Sequence, residues 1–327
     1  MIGGGERNTI GSNAFASSIG GGEVNTIGSN AFASSISGGY GNIIQGGAPY
    51  SAIAGGASNQ VEALGSVVAG GRFNTNSGLG AFIAGGFRNT IQVDASGASV
   101  GGGSFNTIQN YGVEATIGGG DLNTIQTNAA WGTIGGGRGN VVQTAVVDAT
   151  IGGGGGNTIG TGARGATISG GLGATARSFA QQTYASGSFG YIVEPGSAQT
   201  SLYVLRSITT DATPAEMFLD GNESSSLSSR MNLPLGSAWS FDILLVATAS
   251  GNLQVAGFQI QGMVIRNGLG TAMVGTPVRT PLNGSTPSWS ADVSAGSADG
   301  TLRIVVTGAA GTTIRWVASV RTTEVVF

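Results

Sequence analysis

Residues 115–126 read Ala115-Thr-Ile-Gly-Gly-Gly-Asp-Leu-Asn-Thr-Ile-Gln126, and the pattern they hold recurs through the first half of the chain. The asparagine of this stretch, Asn123, is one of ten: Asn8, Asn25, Asn42, Asn59, Asn74, Asn89, Asn106, Asn123, Asn140 and Asn157 follow one another at steps of 17 residues, with two steps of 15 ending at Asn74 and Asn89. Six residues before each stands an aliphatic residue, from Ile2 and Ile19 to Ile134 and Ile151, and Ile168 continues the column. Two residues after each asparagine comes a second aliphatic residue, with Asn76 the single exception. A Gly-Gly pair lies between the first aliphatic residue and the asparagine in every period, from Gly4-Gly5 to Gly153-Gly154 and on to Gly170-Gly171.

A period this short, built of β-branched residues and glycine turns, is too small for a helical repeat and predicts two short strands per coil of a parallel β-roll, or solenoid. Eleven coils stacked at about 4.8 Å make a shaft on the order of 50 Å long. Side chains alternate across a strand, so the small residue two before each first-column aliphatic (Ser17, Ser34, Ser66, Ala98, Ala115, Gly132) points inward with it. The residue three before varies freely (Ala16, Tyr50, Glu114, Trp131, Asp148), as an outward position does. The asparagines share the inward register. An unpaired buried amide costs about 1–3 kcal/mol, so they are expected to form a structural ladder, coil on coil, with glycan contact as the alternative role. Such an interior is narrow and leaves Phe15, Phe32, Leu64, Leu79 and Phe82 to be covered, which three rolls around one axis would do.

Segments such as 115–126 resemble the head repeats of trimeric autotransporter adhesins, over residues 1 to about 176. The resemblance implies a left-handed parallel roll, three chains to a trimer, and a surface displayed for attachment. Most coils here exceed that family's usual 14–15 residues, and the extra residues are expected to lengthen a turn.

Ala174 stands where the next asparagine belongs, so residues 1–174 are read as the repeat shaft. Residues 175–199 lose the period and gain aromatics, as a neck or cap would. Residues 200–327 carry longer strands between Gly, Asn, Ser and Pro turns, which predicts an antiparallel β-sandwich or jelly-roll tip domain. The fold class is all-β. Residues 196–206, 218–221 and 314–324 resemble a C-terminal domain of phage tail-fibre and related virion proteins.

Composition narrows the chemistry. With 62 glycines but only 7 prolines in 327 residues, the chain is neither collagen nor a proline-rich coil, and 40% apolar against 9% charged residues predicts order. It has no cysteine, histidine or lysine; all 13 basic residues are arginine. That removes zinc sites, thiol and imidazole nucleophiles and phosphate-binding loops, and no cofactor is expected. A net charge of −3 and a pI near 4.9 argue against a nucleic-acid partner, and no apolar run is long enough for membrane insertion. The chain opens already in phase with the repeat and without a signal peptide, as a segment of a longer fibre would.

Glycoside hydrolysis needs two carboxylates about 5–9.5 Å apart. Glu6 and Glu23 share a column but read as solvated charges on a turn, so no enzymatic activity is expected. Outward threonine rows suit exposed strands without an ice-binding role. Trp239 and Trp289, beside serines and loops, are the candidate receptor or glycan contacts, whereas Trp316 shares a core face with Ile314, Ala318 and Val320. The expected function is that of a structural and receptor-binding virion fibre, extracellular and homotrimeric, which binds a host receptor or glycan and sits among other virion proteins. The alternative is a bacterial cell-surface adhesin or extracellular filament protein.

Overall fold

The computed structural model describes residues 1–189, 194–222, 226–250, 254–282 and 288–327. Cα packing divides the chain into two compact units, residues 1–161 and 162–327.

The first unit is the parallel solenoid. Ten two-residue strands, from Thr9–Ile10 to Thr158–Ile159, pair coil to coil in one parallel sheet, in the register Thr107↔Thr124 and Ile108↔Ile125. Nine more, from Ser18–Ile19 to Thr150–Ile151, form a second, in the register Thr116↔Thr133 and Ile117↔Ile134. A third line of contact was not expected from the repeat: single-residue bridges run Glu6↔Glu23↔Tyr40↔Ala57↔Arg72↔Phe87↔Ser104↔Asp121↔Arg138↔Gly155. Each coil therefore touches the next along three lines rather than two.

The interior follows the predicted columns. Ile27, Ile44, Val68, Ile83, Ile117 and Ile151 are fully buried, as is every ladder asparagine from Asn25 to Asn157. Each amide is saturated. Asn106 Nδ2 donates to the carbonyls of Gly102 and Gly120 (both 2.9 Å) and to Asn89 Oδ1 at 3.2 Å, while Asn106 Oδ1 accepts the backbone N–H of Asn123 at 3.1 Å. A side chain thus replaces a missing main-chain acceptor in the coil stack, which is why a poor strand former is tolerated here. Asn76, the exception in the second aliphatic column, is also buried and donates to the carbonyls of Val67 (3.1 Å) and Ala81 (2.8 Å). In the early coils, inward serines add a parallel ladder: Ser34 N–H donates to Ser17 Oγ at 3.0 Å, and Ser34 Oγ to the Ala48 carbonyl at 3.1 Å.

The second glycine of each pair is sterically required. Gly22 has φ +85°, and a Cβ there would lie 2.1 Å from the Gly39 carbonyl oxygen; Gly21 has open space around it. The extra residues of the long coils lengthen a turn as expected. In coils of 17, the fifth residue after the asparagine takes a left-handed conformation (Asn13, Asn30, Asp94, Tyr111, Asn128, Ala145), whereas the two coils of 15 have no such corner.

The second unit is all-β and mainly antiparallel. Its large sheet runs in the order Gln182–Ser186, Ala198–Thr209, Ile314–Val326, Ser237–Ala249, Val255–Asn267, with Gly270–Met273 and Val278–Pro281 both paired to the last. Thr167–Leu172 lies parallel to Gln182–Ser186. A smaller sheet is built on Thr301–Thr307, which pairs with Ser290–Gly296, Ala215–Glu216 and Met231–Asn232. The core lies between the two: Tyr203, Phe241, Ile243 and Trp316 come from the first, and Leu302, Ile304 and Val306 from the second. This is the expected sandwich. Of the residues read as a neck, 190–193 lie outside the described residues. Among the described residues no helix is long and apolar enough to cross a membrane.

Candidate functional site

A solenoid interior of isoleucine, valine, asparagine and glycine has no room for rings, so aromatic residues can appear only outside it. All ten aromatics of the first unit do so: Phe15, Phe32, Tyr40, Tyr50, Phe73, Phe82, Phe105, Tyr111 and Trp131 are exposed, and Phe87 is half-buried. The repeat stacks them into ridges.

One ridge lies at the corner just before the asparagine ladder. Phe87 meets Phe73 edge-on at 6.0 Å between centroids and Phe105 at 5.4 Å. The Arg88 guanidinium stands over all three rings, 5.6, 5.3 and 5.8 Å from the centroids of Phe73, Phe87 and Phe105, and Arg72 lies 4.7 Å from Phe73. These backbone positions are held by the Arg72↔Phe87↔Ser104 bridges.

A second ridge follows the corner that precedes the serine and alanine column. Phe32 and Tyr50 meet edge-on at 5.1 Å. Further along, Glu114, Trp131 and Asp148 occupy the same place in three successive coils, as the bonds Trp131 N–H to the Val113 carbonyl (2.9 Å) and Asp148 N–H to the Ala130 carbonyl (3.2 Å) confirm. All three are exposed, and Trp131 Nε1 donates to Glu114 Oε2 at 3.2 Å. Glu6 and Glu23 are bridged neighbours on an exposed edge, and Glu6 pairs with Arg7 at 3.6 Å.

The sequence pointed to Trp239 and Trp289 for saccharide contact, and the structure places both in the sandwich core, 1% and 3% exposed. Trp239 stacks on Tyr203 at 6.2 Å, and Trp289 meets Trp316 edge-on at 5.9 Å. Neither ring offers a face to a sugar in this unit. The signal was available: Trp239 alternates with Phe241, Ile243 and Leu245 on the buried face of Ser237–Ala249. From Asn25 to Asn157 the asparagine column is buried, its amides engaged inside the roll as Asn106 shows, which leaves these residues no amide to offer a glycan.

The sandwich also encloses a polar network. Glu324 is buried and accepts from Gln199 Nε2 (2.7 Å), Thr322 Oγ1 (2.6 Å) and the Tyr203 hydroxyl (3.4 Å). Burial, with the Glu324 charge adding to it, holds the Tyr203 phenol well above the ordinary tyrosine range. Burial lowers the Arg177 guanidinium, against the opposing pull of Glu324. The network's buried members Gln199, Tyr203, Thr322 and Glu324 join the strands Ala198–Thr209 and Ile314–Val326.

No family model matches the chain, and no curated protein matches it. Solved structures similar to it include three phage tailspikes. One is tailspike gp49 of Acinetobacter baumannii bacteriophage Fri1, a capsular polysaccharide depolymerase, at 11% identity and a TM-score of 0.23 over 95% of this chain and 71% of that one. Another is the tailspike of Acinetobacter baumannii phage AM24, at 9% identity and 0.21 over 99% and 77%. The third is the tailspike of Acinetobacter phage vB_ApiP_P1, at 9% and 0.17 over 98% and 80%. The autotransporter-head resemblance has no counterpart among these three. The expectation of a non-enzymatic protein is corrected, since one of these similar structures is a depolymerase.

Proposed function

We propose that this chain is a structural and receptor-binding part of a virion fibre, of tail-fibre or tailspike type, which attaches the particle to host-surface polysaccharide as a homotrimer. The observation that carries the reading is the placement of the aromatics of the first unit, every one of them outside the core. Exposed rings in stacked array suit the apolar faces of pyranose rings, whereas a fold that needed them for stability would bury them. Trimerisation is supported by the outer face of the large sandwich sheet. Val204, Ser319 and Leu244 form one row, Arg206, Val317 and Val246 the next, and Val204, Leu244, Val246 and Val317 are all exposed. A contiguous apolar face of this kind marks an interaction surface.

The test uses the purified chain on capsulated and capsule-free Acinetobacter cells, with antibody labelling of phage particles in the electron microscope and light scattering for mass. Capsule-dependent adsorption, label on particles and three times the 32.1 kDa chain mass are expected. Absence of adsorption to every capsule type tried overturns the attachment reading, label on a cell envelope transfers it to the adhesin alternative, and a monomeric mass removes the trimer.

A second reading, cleavage of the bound polysaccharide, is favoured by the column Glu114–Trp131–Asp148. Its two carboxylates stand two coils apart, about 9.6 Å of rise, with an aromatic platform between them, near the upper separation used by inverting glycosidases. Release of reducing ends by the wild-type chain, abolished in both Glu114→Gln and Asp148→Asn, is the expected result. Unchanged release in either variant takes the reaction away from this column.

A further inference from the structure

We infer that the face formed by Arg72, Phe73, Phe87, Arg88 and Phe105 binds a carboxylate-bearing saccharide, one sugar unit per coil. The inference rests on the attachment reading and deepens it to a chemical class.

Charge selects the ligand. The two columns at this corner hold four arginines: Arg7, Arg72, Arg88 and Arg138. The outer two are neutralised within the columns, Arg7 by Glu6 at 3.6 Å and Arg138 by Asp121 at 3.4 Å. Arg72 and Arg88 have no carboxylate partner among the described residues, and between Tyr40 and Ser104 neither column contains an acid. A chain of net charge −3 thus concentrates two unpaired guanidinium groups on one short stretch of its surface.

Geometry selects a sugar over a simple anion. Arg88 lies 5.3–5.8 Å from three ring centroids at once, so cation–π attraction holds its planar fork in place before any ligand arrives. Each guanidinium then presents paired N–H donors to a carboxylate, while the exposed rings of Phe73 and Phe105 offer apolar faces. A free inorganic anion would use the donors and leave the rings idle. Phe73, Arg88 and Phe105 follow one another in one column on three successive coils, so the two exposed rings stand two coils apart, about 9.6 Å of rise, close to the length of two pyranose units in an extended chain, with a guanidinium between them.

The experiment measures binding of an oligogalacturonate and of an oligosialate, with a dextran oligosaccharide as the neutral control. One acidic oligosaccharide is expected to bind, with affinity that falls as salt rises from about 50 to about 300 mM, and dextran is not. Arg88→Gln is expected to weaken binding at least tenfold, Arg88→Lys to fall between it and wild type, and Phe105→Ala to weaken binding without changing the salt dependence. Both side chains are exposed, so melting temperature and mass should stay at the wild-type values in all three variants. The inference is overturned if neither acidic oligosaccharide binds, if dextran binds as well, if Arg88→Gln binds as wild type does, or if that variant changes the oligomeric mass, which would make the face a contact between copies. Arg88→Gln that adsorbs to host cells at wild-type level refutes this site alone, whereas a wild-type chain that adsorbs to none refutes the attachment reading beneath it.

Discussion

Replacing Asn106 by alanine isolates the contribution of one rung of the ladder. The substitution removes the only side-chain acceptor of the Asn123 backbone N–H, a bond of 3.1 Å between buried residues. It also removes the donor to the Gly102 carbonyl at 2.9 Å. The Gly120 carbonyl keeps a partner, since it also accepts Ser104 N–H at 2.8 Å, and Asn123 Nδ2 keeps the carbonyls of Gly119 and Gly137. The net damage is one orphaned buried amide N–H, one weakened carbonyl and a void the size of a carboxamide, together about 2–4 kcal/mol. Because a repeat array opens locally, the effect should be sought by amide hydrogen exchange around Asn123, where that loss is about 30- to 1000-fold in protection. Thr107→Val, one residue on and outward-facing, is the control and should change protection by less than about 0.5 kcal/mol. If Asn106→Ala matched this control, the asparagines would be passengers and the interior would owe its order to the aliphatic columns alone.

Three further outcomes follow from the same geometry. Gly22→Ala should cost about 2–4 kcal/mol and lower soluble yield, because its Cβ meets the Gly39 carbonyl in a left-handed backbone, while Gly21→Ala should melt like wild type. Thr209→Val removes the Oγ1 acceptor 2.9 Å from Trp316 Nε1 in the sandwich core and should cost about 1–3 kcal/mol by denaturant unfolding. The folded-state pKa of Tyr203 is raised, so its stabilising contribution is complete below about pH 10 and is lost as pH climbs toward the folded value, at about 1.4 kcal/mol per unit. Melting curves between pH 9 and 12 should show that slope in wild type and lose it in Tyr203→Phe.

The solenoid was legible because its constraints repeat. A column of glycine or asparagine that recurs ten times reports a backbone conformation or a buried amide regardless of its neighbours, and Gly22 and Asn106 occupy the positions that logic gave them. The third line of bridges was missed because one residue per coil, as varied as Glu6, Tyr40, Arg72 and Gly155, leaves no compositional trace. A second amide ladder was missed although it was visible: Gln92, Gln109, Gln126 and Gln143 recur at steps of 17, and Gln109 Oε1 accepts the Thr127 N–H at 3.2 Å. In the sandwich the failure had another cause. Serine neighbours suggested exposure for Trp239, but the alternation of the strand, which governs burial, places it opposite Tyr203 in the core.

The division of labour inside one coil explains why recognition would settle on the corner before the ladder. The inward positions are fixed by hydrogen bonds to the coils on either side, so any change there propagates through the stack. The corner after the second aliphatic column tolerates a change of length: the coils of 15 residues omit its left-handed residue, yet the Asn59, Asn74 and Asn89 rungs remain linked at 3.0–3.1 Å. The corner before the ladder is the opposite case, with backbone held in register by single-residue bridges and side chains left free to vary. Arg72, Phe73, Phe87 and Arg88 fall beside those two short coils, and their spacing survives the shortening because the asparagines, two residues away or fewer, set it. A ligand that reads one unit per coil needs that combination of rigid rise and variable side chain, and the buried amides supply the rigidity from a face the ligand never touches.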